Sequence, residues 1–212
     1  MIKSYKELTI SKYEEIENIL KKDIEEIDKQ VELISALSNL SMDEVYNLPI
    51  SKYQQYVDGT AFLLDQPKPK TTMPNKITIN GKKYGVLKAI ERMTTGQYID
   101  LQTYMKQDMG VSWILTTILI PEGSKYGDGT YNVEDVEKEI YNNLDIETAL
   151  SIAFFLQRKL EHTINASLFF LDWMMKRTMK KMPKEQREQM KEARKKLKDF
   201  SRNGTGFFSL TQ

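Results

Sequence analysis

The sequence predicts a mainly α fold: a helical domain with a small central β-hairpin and an extended helical C-terminal arm. Three observations carry this. Apolar residues recur at three- and four-residue spacing through most of the chain, the period of one helix face. One short stretch changes rhythm: Ile77 and Ile79 alternate with polar residues, Asn80-Gly81 supplies a turn suited to positive φ, and Tyr84 and Val86 resume the alternation. Finally, the charge is lopsided, with 12 Lys or Arg against 4 Asp or Glu between Lys176 and Arg202, and 6 Lys against 8 Asp or Glu in residues 1–30. These place a mostly helical domain at 1–175, with its hairpin near 76–87, and a basic arm with an apolar-tipped tail at 176–212.

The elements follow in order. Thr9 or Ser11 stands ahead of acidic residues, where a capping hydroxyl and the helix dipole favour a start. Ile16, Ile19, Leu20, Ile24, Ile27, Val31 and Ile34 then form one stripe on a helix running to about Asp28 or beyond. Ser41 caps a short helix, and Leu48-Pro49-Ile50-Ser51 ends it and caps the next, Lys52 to about Leu64. Three prolines between Gln66 and Asn75 exclude helix interior and give an extended connector. After the hairpin, Thr94 or Thr95 caps a helix to about Met109 with Tyr98, Leu101, Met105 and Met109 on one side. Val111 to Ile120 suits buried helix or strand; helix is the expectation. Glu122 to Asn132 is an exposed loop by its Gly and Asp positions. A helix from Asp145 or Glu147 runs through Phe154-Phe155 toward Trp173, apolar over most of its circumference, which demands burial in a core or between partners. Beyond Pro183, Met190, Ala193, Leu197 and Phe200 mark a narrow stripe on a charged helix too weak to stand alone.

Composition excludes several function classes. With no cysteine there are no disulfides, thiolate metal sites or cysteine nucleophiles. The N-terminus turns charged at once, arguing against a signal peptide and for synthesis in the cytoplasm. The longest apolar stretch, Thr163 to Met175, is interrupted by Asn165 and Asp172 and falls short of the roughly 20 residues of a membrane span. His162, the only histidine, reads as structural. Gly123 to Thr130 lacks the ending of a phosphate loop and the spacing of an EF-hand, so it reads as a turn. Carboxylate pairs Glu14-Glu15 and Glu25-Glu26 fall on charged helices and read as solvated faces. No catalytic residue, cofactor or metal is expected. Tyr46, Tyr53, Tyr56, Tyr84, Tyr98 and Tyr104 lie near lysines, a pattern that can stack bases, build protein interfaces or pack a core boundary.

The expected contact residues are Lys191, Arg194, Lys195 and Lys198 on the arm, with Phe207, Phe208 and Leu210 as an apolar anchor. Charge asymmetry suits head-to-tail contact between copies, an arm on an acidic surface or on nucleic acid, or simply a solvated helix.

The order of LPISKYQQY, a proline-bearing connector, ITINGKKYGVL and MTTGQYIDLQTYMKQ resembles small virion or tail-assembly proteins of tailed bacteriophages infecting Bacteroidetes, including the crAss-like group. The resemblance covers about Leu8 to Gln107 and is most specific over Met93 to Met105. It implies contacts rather than catalysis, and the expectation is a non-enzymatic virion protein, a portal- or tail-associated structural or cargo component made in the host bacterial cytoplasm, that contacts portal or tail proteins and forms an oligomer. No functional residue is carried over from it. A tail-assembly chaperone and a nucleic-acid-binding protein using the basic arm are the alternatives.

Overall fold

The chain enters its first helix through a capped turn: Thr9 is extended, and its Oγ1 accepts a hydrogen bond from the Lys12 amide at 3.2 Å. In this computed structural model, residues 1–70, 72–160, 162, 191, 192 and 195 are described. Two units divide the chain, Met1–Phe154 and Phe155–Gln212. The first contains α1 (Ile10–Leu20), α2 (Glu26–Leu37), α3 (Met42–Tyr46), α4 (Ile50–Gly59), β1 (Lys76–Ile79), β2 (Lys82–Val86), α5 (Thr95–Lys106), α6 (Val111–Thr116), β3 (Leu119–Pro121), α7 (Val133–Asn143) and a helix over residues 146–154. In the second unit, residues 155–160 are helical, with the Lys159 ammonium 5.6 Å from the centre of the Phe155 ring. The boundary expected at 175/176 lies outside the described residues.

The single N-terminal stripe folds back on itself instead of running through. The chain leaves α1 at Lys21 and re-enters helix after Glu25, although no Gly or Pro marks the break. The packing of α1 against α2 supplies the reason. Ile16 and Ile19 of α1 and Val31, Leu33, Ile34 and Leu37 of α2 are buried, whereas Ile24 and Ile27 stay 37% and 58% exposed in and beside the turn. A straight helix would have left the whole stripe in need of an outside partner. A Lys22–Glu32 ion pair spans the turn. The other side of α2 joins α3 and α4 around Val31, Ile34 and Val45, with Leu40, Leu48, Tyr53, Tyr56 and Val57 packed against them. Ser41 caps α3 in a reciprocal box with Glu44, whereas α4 starts at Ile50 behind Pro49 and has no side-chain cap, so Ser51 does not cap it.

The hairpin forms as expected. β1 and β2 pair antiparallel with Ile77 opposite Tyr84, and Asn80 and Gly81 both take positive φ, 46° and 79°. A third strand joins them. The run Val111 to Ile120, expected as one helix, is helix only to Thr116; Leu119–Pro121 then pairs with β2, giving sheet order β1-β2-β3. The Thr116 and Thr117 hydroxyls donate back to the Trp113 and Ile114 carbonyls at 2.7 and 2.8 Å, an arrangement suited to ending a helix. The β-branched residues that follow then suit the sheet.

Thr94 caps α5 in a box with Gln97, whose side chain is 4% exposed. Gln97 Oε1 accepts from the Thr94 amide at 2.9 Å and Nε2 donates to the Thr117 carbonyl at 2.9 Å, so one buried amide fixes α5 against the end of α6. The buried face of α5 is therefore Gln97 and Leu101, while Tyr98 of the expected stripe is 45% exposed. α7 was not anticipated from the sequence. Its start is conventional, with Asn132 capping Glu134 at 2.7 Å and acids in the first turn, and Val136 and Ile140 are buried one turn apart.

Two substitutions test these local devices by urea unfolding. Gly81→Ala should cost about 1 kcal/mol from its positive φ alone, because an added Cβ meets no atom within 4 Å. Gln97→Met should cost about 1–3 kcal/mol, since it keeps the volume but strands the Thr117 carbonyl and half of the cap.

Candidate interaction surfaces

Of the contact residues expected on the arm, Lys191 and Lys195 are described; both are helical and exposed. Arg194, Lys198, Phe207, Phe208 and Leu210 lie outside the described residues. His162 is exposed on helical backbone. Among the described residues, no group of three or more acidic or histidine side chains is placed to hold a metal ion, and no helix is long and apolar enough to cross a membrane.

The tyrosines do not form a common platform. Tyr84 is 2% exposed in the core. Tyr53 and Tyr56 pack on the α2–α3–α4 cluster, and the Tyr46 hydroxyl donates to Asp28 at 2.6 Å. The loop between β3 and α7 is likewise a self-bonded turn: Asp128 Oδ1 accepts from the Thr130 amide and hydroxyl at 3.0 and 2.6 Å, and Oδ2 accepts from the Lys125 amide at 2.8 Å. The Thr130 hydroxyl bond leads the causes that hold the Asp128 carboxyl below its ordinary range.

That loop is anchored by an aromatic cluster that sequence reading missed. The Tyr126 hydroxyl donates to Asp100 on α5 at 2.7 Å, and the Tyr104 ring lies 5.3 Å from the Trp113 ring on α6. Burial first, then the Asp100 bond, push the Tyr126 hydroxyl well above its ordinary pKa. Tyr131 has a buried hydroxyl with no hydrogen-bond partner among the described residues, and burial followed by the Asp128 charge pushes it up to about 12.

A second feature emerges from the helix charges. α1 carries three acids against one lysine, α2 three against one, α3 two against none and α7 four against one. These helices are neighbours: α1 packs on α2 and α7, and α2 on α3. Between α1 and α2 opens a groove of about 490 Å³ lined by residues including Glu14, Glu15, Ile19, Glu32 and Met42. Glu14 accepts a 2.9 Å hydrogen bond from the Tyr141 hydroxyl of α7, and Glu15 pairs with Lys12 at 2.7 Å. The Glu14-Glu15 pair, read from sequence as a solvated face, therefore lines a concave surface. The signal in the sequence was the recurrence of acids on helices that only the fold makes adjacent.

The raised tyrosines give a sign for alkaline behaviour. A folded-state pKa above the ordinary 10.0 contributes stability that is full below pH 10.0 and is lost as pH rises through the folded value. For Tyr131 the loss should fall between pH 10.0 and about 12. Tyr131→Phe should flatten that loss and, by removing an unpartnered hydroxyl, raise stability at neutral pH by about 1 kcal/mol; thermal melting across pH reads both.

No known protein family, curated protein or solved structure matches this chain.

Proposed function

We propose that this chain is a non-enzymatic component of a bacteriophage virion, portal- or tail-associated, that acts through protein–protein contacts, including contacts between its own copies. The observation that carries the reading is charge segregation. Residues 1–154 hold 24 acidic against 17 basic residues, while residues 155–212 hold 14 basic against 6 acidic. The acidic excess sits on α1, α2, α3 and α7, which contact one another in the order α3, α2, α1, α7. A chain with opposite charge on two parts is suited to a heterologous, head-to-tail interface, which closes into a ring or propagates according to its rotation. The phage context rests on the sequence resemblance.

Light scattering of the full chain at two salt concentrations tests the assembly. A defined oligomer at low salt that lightens at high salt is the expected result, because screening shortens the reach of exposed charges to about 8–10 Å near physiological ionic strength. A monomer under both conditions overturns it. Deleting residues 201–212 should weaken assembly and leave thermal melting nearly unchanged. Mass spectrometry of purified virions should find the chain; its absence from the particle would favour an assembly chaperone.

A further inference from the structure

We propose that the groove between α1 and α2 receives the basic 176–202 segment of a second copy of this chain, an assignment that rests on the assembly reading above. The groove combines what an amphipathic basic segment needs. Its apolar part is Ile19, Ala36 and Met42, with Met42 45% exposed at the rim. Glu14, Glu15 and Glu32 stand around that strip, and Lys22, the lysine that lines it, is already paired with Glu32. Neighbours hold these carboxylates in place: Tyr141 donates to Glu14 and Lys12 pairs with Glu15. Fixed groups lose less freedom on binding than groups that must be ordered by the partner.

The occupant is argued from the same chain. Residues 176–202 carry 12 basic against 4 acidic residues, and Met190, Ala193 and Leu197 recur at three- and four-residue spacing beside Arg194, Lys195 and Lys198. An apolar stripe flanked by cations complements an apolar strip flanked by carboxylates, the helix-in-groove mode of recognition. A single exposed ion pair contributes little, so several charges and the apolar contact must act together. Each copy brings one groove and one segment, and the stoichiometry of a head-to-tail assembly follows directly.

The test uses full-length chains. Glu15→Lys with Asn18→Lys alters two exposed groove residues, and Lys195→Glu with Lys198→Glu alters the segment. Each variant alone should keep the wild-type circular dichroism and self-associate about tenfold more weakly or worse. Mixed in equal amounts they should regain association as one-to-one pairs, because the intact segment of the groove variant fits the intact groove of the segment variant. A groove variant that assembles as the wild type does overturns the groove assignment and leaves the assembly reading standing. A mixture that fails to regain association overturns the pairing of groove with segment. A wild-type chain that is monomeric at every concentration overturns both.

Discussion

The first unit depends on a short backbone bridge, made by two hydrogen bonds, between segments far apart in its sequence. The Ile10 amide donates to the Leu144 carbonyl at 3.1 Å and the Ile146 amide to the Leu8 carbonyl at 2.8 Å, with Thr9 opposite Asp145. Leu8 and Ile10 are fully buried, and Leu144 and Ile146 nearly so. Burying such side chains contributes about 1.5–3 kcal/mol each, which offsets a loop-closure cost that grows only slowly with length. The bridge brings the start of α1 to the end of α7. The Tyr141–Glu14 bond, and with it one side of the acidic groove, depends on that juxtaposition.

α7 extends the constraint across the rest of the unit. It packs on α1, α6 and β1. Glu137 accepts from the Ser112 hydroxyl on α6 at 2.6 Å, and Glu139 from the Lys82 ammonium on the hairpin at 2.7 Å. The Lys82 bond holds the Glu139 carboxyl below its ordinary range, so that contribution is present above about pH 4.5 and fades as pH falls. A helix rich in acids thus spends two of them on fastening its neighbours and leaves the others outward. Repulsion among the outward carboxylates of α1, α2, α3 and α7 opposes compactness mildly. A basic partner would relieve it, which links the packing of these helices to the assembly proposed for them.

Local chemistry was legible in the sequence at several devices contained within a few residues, though not at the start of α4, where Ser51 does not cap. The Asn80-Gly81 turn, the Ser41 and Thr94 caps and the Asp128 turn all form where their residue types place them. Three features were not legible. The break between α1 and α2 has no breaker residue, because it is decided by the gain from folding the stripe on itself. The strand Leu119–Pro121 is hidden in an apolar run that periodicity cannot divide, and only the free edge of β2 assigns it. α7 carries a normal cap, but its short apolar pair, Val136 and Ile140, gives little weight without the surface it covers.

By itself the sequence determined the mainly helical class, the hairpin and its turn, and the opposition of charge between the two ends of the chain. Each is set by backbone preference, short-range capping or composition, none of which requires knowing what lies nearby. The tertiary structure alone decided which acids become neighbours, that Glu14, Glu15 and Glu32 share one groove, and that the tyrosines serve separate packing roles. Those outcomes depend on contacts between residues far apart in the chain, and no local propensity encodes such contacts.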